Sequence, residues 1–185
     1  MNNFVSNDID SSSACSHVPG FLWTPVRAKP RREKKIAEFC EANNITCYLP
    51  LIRRIHRYGR RTVESFVPMF SGYIFCLLNE EKHQRLLRSN AVVYRIMMDE
   101  ISERVLLNEF DSIRAFEELS RRTEVVVKPE LAEGSRISVN SGPLAGTHGI
   151  VTRRKGKTML AVNIEILGQS VAAELDAGDL DLCKD

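Results

Sequence analysis

Several features are missing from this 185-residue chain, and each absence removes a class of function. No apolar run approaches the roughly 18 residues needed to span a bilayer. Even Ala91–Met98 is interrupted by Arg95. The first 19 residues carry Asp8 and Asp10 but no Lys or Arg, so they lack the charged start of a signal peptide. The five cysteines (Cys15, Cys40, Cys47, Cys76 and Cys183) are odd in number and scattered, with no C-x-x-C pair. Neither a disulfide framework nor a zinc site is indicated. The expectation is a cytoplasmic, monomeric protein with reduced structural thiols, no metal and no membrane association.

Catalytic motifs are lacking too. Gly156-Lys157-Thr158 has the tail of a phosphate-binding loop, but that loop needs another Gly five residues before Gly156, where Val151 stands. Gly142, Gly146 and Gly149 have the wrong spacing for a dinucleotide fingerprint. His56 lies in an arginine-rich stretch and His148 in a glycine turn, neither with a carboxylate or nucleophile beside it. No enzyme and no cofactor is expected.

What is present describes a folded chain. Hydrophobic residues at 43% and charged residues at 27% are those of a soluble globular protein. The length suits one ordinary domain or two small ones. The net charge of +2 hides an asymmetry. Arg27–Arg61 holds 11 Lys/Arg against 3 Glu, whereas Asp99–Glu124 holds 8 Asp/Glu against 4 Arg. Ile164–Asp185 holds 6 Asp/Glu against 1 Lys. A basic front and two acidic stretches suit a surface that meets polyanions on one side only.

Residues 1–19, rich in Ser, Asn and Asp, read as a disordered tail. Phe21–Arg27 reads as a strand. Pro30 suits the first turn of a helix whose stripe is Ile36, Ala37, Phe39 and Cys40, stopping at Asn43-Asn44. Thr46–Leu49 is extended. Ile52–Tyr58 and Arg61–Val67 flank Gly59-Arg60 as a hairpin. Tyr73–Leu78 is a strand, Asn79 caps a helix to about Ser89, and Val92–Met98 is another strand. Asn108 caps a last helix with Phe110, Ile113 and Phe116 on its buried face, ending near Arg122. The order β-α-β-β-α-β-α predicts an α+β sandwich over 20–122 with a mainly antiparallel sheet. Residues 123–133 read as a linker long enough to let the two halves move independently. Over 134–185 short β-branched runs at Ile137–Val139, Ile150–Thr152, Leu160–Ile166 and Val171–Leu175 predict a small closed barrel that stays β.

The stretch Val139-Asn-Ser-Gly-Pro-Leu-Ala-Gly-Thr-His-Gly-Ile-Val151 turns at Gly142, Pro143, Leu144, Gly146 and Gly149, with Gly149 read as a tight turn into the next strand. It resembles the KOW motif, and the resemblance continues through Val162–Ile166 and Ala173–Leu175. Trp23, Val26, Lys29-Pro30 and Glu33 resemble the opening of the N-terminal domain of the NusG family. Tyr48-Leu49-Pro50 resembles its next strand. Pro68-Met-Phe-Ser-Gly-Tyr-Ile-Phe75 resembles its signature, with Ser71 where a second proline is usual. Together the two halves cover roughly residues 21–183.

That resemblance implies a two-domain transcription elongation or antitermination factor with an SH3-like KOW barrel. It implies docking on the clamp helices of the largest RNA polymerase subunit through Trp23, Phe70, Tyr73 and Phe75. It implies a KOW domain that recruits a ribosomal protein or termination factor, although Leu144 stands where many members carry an aromatic. The compact region between Pro50 and Pro68 resembles specialised, operon-specific paralogs. From the residues themselves, Arg53, Arg54, His56, Arg57, Arg60 and Arg61 form a candidate nucleic-acid site. Strand alternation places Arg53, Arg57 and Arg61 on one face to meet phosphates of the DNA in the elongation complex. The alternative class, a KOW-containing ribosomal or RNA-binding protein, does not need Trp23 or the Phe70–Tyr73 element.

Overall fold

The computed structural model describes residues 15–59, 61–129, 135–139, 142–154 and 157–174. Within 1–19, the expected tail, residues 1–14 lie outside the described part. Cys15–Phe21 lies against the protein body. Trp23 Nε1 donates to the Ser16 carbonyl (3.1 Å), and His17 Nδ1 meets the Glu103 carboxylate (2.6 Å).

The N-terminal half centres on a four-stranded antiparallel sheet in the order β2-β5-β1-β6, built from β1 (Leu22–Ala28), β2 (Cys47–Tyr48), β5 (Tyr73–Leu78) and β6 (Val92–Arg95). Period-two alternation splits its side chains between two layers. Val26, Ala28, Ile74, Cys76 and Leu78 face α1 (Glu33–Ala42) and α2 (Glu80–Leu87), where Ile36, Cys40 and Leu86 complete one core. Cys40 and Cys76 bring their sulfurs to 4.0 Å there. Cys47 lies opposite Cys76 in register. Its hydrogen bond to Cys40, followed by burial, pushes the Cys47 thiol far above its ordinary range. These are packing thiols.

The opposite layer is α3 (Glu100–Leu119), which presents Leu106, Phe110, Ile113 and Phe116 to Trp23, Phe75 and Leu77. Asn108 is not its cap. The cap lies nine residues earlier in the chain, where Asp99 accepts a bond from the Ser102 N–H at 2.7 Å. No Gly or Pro interrupts the chain between Asp99 and Leu119, so one stripe continues back to Glu103. Glu103 is buried and accepts from the Trp23 N–H (2.8 Å). Pro30 likewise precedes α1 instead of opening it. Arg31, with φ of +60°, turns the chain first.

β3 (Leu51–Tyr58) and β4 (Arg61–Pro68) form a separate two-stranded ribbon outside the main sheet. The C-terminal half is a second antiparallel sheet in the order β7-β11-β10-β9-β8. Its strands are β7 (Val125–Pro129), β8 (Ser135–Ser138), β9 (His148–Arg154), β10 (Lys157–Ile164) and β11 (Gln169–Glu174). A short 3-10 turn, Glu165–Leu167, joins the last two of these in sequence. β7 falls inside the stretch expected to be a linker. Val125-Val126-Val127 is β-branched throughout and finds a partner in β11, so it joins the ladder. The described part of 135–174 is otherwise strand, turn and loop, with no α-helix. Leu160, Val162, Ile164, Val171 and Ala173 share one continuous apolar cluster with Phe110 and Trp23. The Glu165 N–H donates to Glu109 of α3 at 2.7 Å. The two halves are therefore packed together through α3.

Candidate functional site

Alternation along β1 and β5 places Trp23, Pro25 and Arg27 on the α3 face, beside Leu77, Phe75 and Tyr73 of the paired strand. α3 covers only one end of that face. The Phe110 ring meets Trp23, Tyr48 and Phe75 edge-on at centroid distances of 5.4, 5.4 and 5.1 Å. Phe70 packs edge-on against Phe75 at 6.0 Å. Trp23, Phe70 and Phe75 are consequently core residues, exposed by 3% or less. The structure brings the four aromatics singled out from the sequence into one cluster, but only Tyr73 reaches the surface.

The other end of the face is open. The Arg27 guanidinium lies over the Tyr73 ring at 4.7 Å and donates to the Ser71 carbonyl at 3.1 Å. The Tyr73 hydroxyl is 3.4 Å from that of Tyr94. This contact, with partial burial, raises the Tyr73 phenol above its usual range. Tyr73, Arg27 and Tyr94 thus form one cross-strand row. Along the chain from β6 into α3, Val93, Met97 and Ile101 are all more than half exposed. The turn before Tyr73 needs Gly72. Its φ is +82°, its N–H donates to the buried Glu33 carboxylate at 2.6 Å, and a Cβ there would sit 2.6 Å from Arg27 Nη1. Sequence reasoning missed Arg27, Val93, Tyr94, Met97 and Ile101. An apolar residue in a strand-like run reads as buried, and only the sheet order reveals that β6 is an outer strand.

The ribbon is held at its base by the last turns of α3. Glu117 accepts from the Leu51 N–H (2.8 Å) and the Tyr48 hydroxyl (2.9 Å), and Ser120 Oγ accepts from the Arg53 N–H (3.3 Å). Burial pushes the Glu117 carboxyl above the usual range. Along the ribbon Arg53 pairs with Phe66, Arg54 with Ser65, His56 with Val63, Arg57 with Thr62 and Tyr58 with Arg61. Directly opposed residues share a face. That register puts Arg61 with Tyr58, His56 and Arg54, not in the row of Arg53. The expected Arg53–Arg57–Arg61 face does not exist. Arg53 is also engaged already, by Glu64 and the Arg121 carbonyl. Arg60 and the Arg57 side chain lie outside the described residues. His56 and Tyr58 stack at 6.2 Å with rings 29° apart.

In the C-terminal loop, Gly142 and Gly146 adopt φ of +78° and +81°, and the Gly146 N–H donates to the Val139 carbonyl at 2.7 Å. Pro143 is exposed and Leu144 is buried. Gly149 is not the tight turn expected of it. It lies inside β9, where a Cβ would meet the Ala161 carbonyl oxygen at 2.6 Å. A polar cleft of about 630 Å³ separates this loop from α3, lined by Asn108, Asp111 and Ser112 on one side and Thr147 and His148 on the other. Among the described residues there is no group of side chains arranged to hold a metal, and no helix is long and apolar enough to cross a membrane.

Residues 21–114, just over half the chain, match the family described as "Transcription termination factor nusG". The chain belongs to the NusG family. Members of this family are non-enzymatic transcription factors, and the general role is in transcription elongation. Among solved structures, Thermotoga maritima NusG, described for its domain interaction, aligns at 18% identity and a TM-score of 0.42, over 86% of this chain and 95% of that chain. The MjSpt4:Spt5 complex aligns at 15% identity and a TM-score of 0.29, over 89% of this chain and 99% of that chain. Comparison with curated proteins gives no match. The matched residues include Trp23 and the Phe70–Tyr73 element.

Proposed function

We propose that this NusG-family chain is a cytoplasmic elongation and antitermination factor. It seats the open end of its N-terminal sheet on the clamp helices of the largest RNA polymerase subunit and favours processive elongation. The observation that carries this reading is the row of half-buried Arg27 and Tyr73 with exposed Tyr94, together with exposed Val93, Met97 and Ile101 in the chain from β6 into α3. A surface of aromatic and apolar side chains flanked by one arginine suits docking against the side of helices. Trp23, Phe70 and Phe75 support that surface from beneath. In this reading residues 20–122 are the polymerase-binding domain and 134–185 a KOW barrel that recruits a ribosomal protein or termination factor. Because Leu144 is buried, Pro143 and Ala145 are the loop positions that offer contacts. The basic ribbon meets DNA of the elongation complex. The compact stretch between Pro50 and Pro68 supports a specialised paralog acting on particular long operons.

The test is binding of the full-length protein to core RNA polymerase. Tyr73→Ala should weaken association about tenfold, and the Tyr73→Ala/Tyr94→Ala pair about a hundredfold, with unchanged circular dichroism. Wild-type protein that fails to bind at micromolar concentration, or a double variant that binds like wild type, contradicts the proposal.

A further inference from the structure

The turn that presents Tyr73 is fastened from two layers of the N-terminal half. One peptide unit, between Ser71 and Gly72, carries both attachments. Its N–H donates to the Glu33 carboxylate at 2.6 Å, and its carbonyl accepts from Arg27 Nη1 at 3.1 Å. Glu33 opens α1, which packs on one face of the sheet, whereas Arg27 shares the α3 face with Tyr73. Glu33 is only 5% exposed, and a carboxylate is costly to bury unless hydrogen bonds compensate it. A carboxylate at the N–H end of a peptide and a guanidinium at its carbonyl end polarise it in the same sense, so each bond strengthens the other. The Arg27 guanidinium has little other freedom. It lies over the Tyr73 ring at 4.7 Å and packs on the bare Gly72 Cα, where an added Cβ would sit 2.6 Å from Nη1. The Gly72 carbonyl is held too, by the Ala28 N–H at 2.9 Å.

We propose that Glu33 is a positioning residue of the docking surface: acting through the Ser71–Gly72 peptide, it sets the Arg27 guanidinium over Tyr73. The proposal rests on the reading that the Arg27–Tyr73–Tyr94 row meets RNA polymerase. Glu33 itself is buried and meets no partner protein. Its loss frees the peptide to rotate, and the carbonyl that holds the cation over the ring moves with it.

The experiment measures binding of the full-length protein to core RNA polymerase, together with hydrogen exchange of the Gly72 amide by NMR. Glu33→Ala should weaken binding about tenfold with unchanged circular dichroism, and Glu33→Gln, which keeps an acceptor oxygen, should bind within about twofold of wild type. On an Arg27→Ala background, Glu33→Ala should cost less than about twofold, because the residue through which it acts is gone. The same loss on both backgrounds marks a merely structural role and overturns the proposal, as does Glu33→Ala that binds like wild type. The Gly72 amide should exchange slowly in wild type and Glu33→Gln, and fast in Glu33→Ala. Fast exchange of Gly72 in the wild type overturns the clamp without any variant. Wild-type protein that fails to bind polymerase removes the docking reading, and slow Gly72 exchange then leaves Glu33 a fastener of the turn and not of a docking surface.

Discussion

Phe110→Ala should lower the free energy of unfolding by about 3–5 kcal/mol, the range for truncating a fully buried phenylalanine. Phe110 is fully buried and is the ring on which Trp23, Tyr48 and Phe75 converge edge-on. Each edge-to-face pair adds about 0.5–1.5 kcal/mol beyond burial, so the upper part of the range is expected. Domains of this size are stable by only about 5–15 kcal/mol. The same apolar cluster reaches Leu160, Val162 and Val171 of the C-terminal sheet. Urea unfolding should therefore move to a lower midpoint for probes in both halves. A loss below about 1.5 kcal/mol, or an unchanged midpoint for C-terminal probes, contradicts the central place given to Phe110.

The second large effect is expected at Gly149. Its Cα faces the β10 backbone so closely that a Cβ would lie 2.6 Å from the Ala161 carbonyl oxygen and 2.8 Å from Leu160 Cδ1. The carbonyl belongs to the ladder in which Ala161 pairs with Ile150, so it cannot move without breaking register. Overpacking costs about 1–3 kcal/mol per insertion in a packed interior, and a β-branched side chain against backbone belongs at the top of that range. Gly149→Val should destabilise the protein by about 3 kcal/mol. Gly146→Ala makes a useful comparison. Nothing lies within 4 Å of its Cβ position, and only the φ of +81° opposes the change. That strain is expected to cost about 1 kcal/mol. Thermal melts of the two variants should rank Gly149→Val well below Gly146→Ala, and equal melting temperatures would show that β9 and β10 are not so closely apposed.

Most strands were legible because their signals are local. Asn79 caps α2 as expected, accepting from the Lys82 N–H at 2.8 Å. Tyr73–Leu78 is a strand over those same residues. Gly59-Arg60 lies between the two ribbon strands, whose first ladder pair is Tyr58 with Arg61. What escaped depends on distant partners. Val125–Pro129 looks like linker until β11 offers it an edge. Asn108 and Asp99 have the same capping chemistry, and only the uninterrupted stripe from Glu103 to Phe116 chooses between them. The ribbon faces were misassigned because counting along the chain ignores the ladder register, in which Arg61 pairs with Tyr58 and so changes parity with Arg53 and Arg57. At the candidate docking surface, the motif pointed to the turn around Gly72 and Tyr73, and of its aromatics only Tyr73 reaches the surface. Exposure is a property of sheet order and of where α3 ends, so Trp23, Phe70 and Phe75 could not be separated from Tyr73, nor Tyr94 and Met97 found, by pattern alone.

The central claim is that the open end of the N-terminal sheet is where RNA polymerase sits. Amide hydrogen exchange of the full-length protein, alone and saturated with core RNA polymerase, tests it most directly. The account predicts slowed exchange over residues 70–73 and 92–101, around the Arg27–Tyr73–Tyr94 row, and unchanged exchange over α1 and α2 on the other side of the sheet. Protection confined to residues 33–42 and 80–87, with 92–101 exchanging as in the free protein, would contradict it.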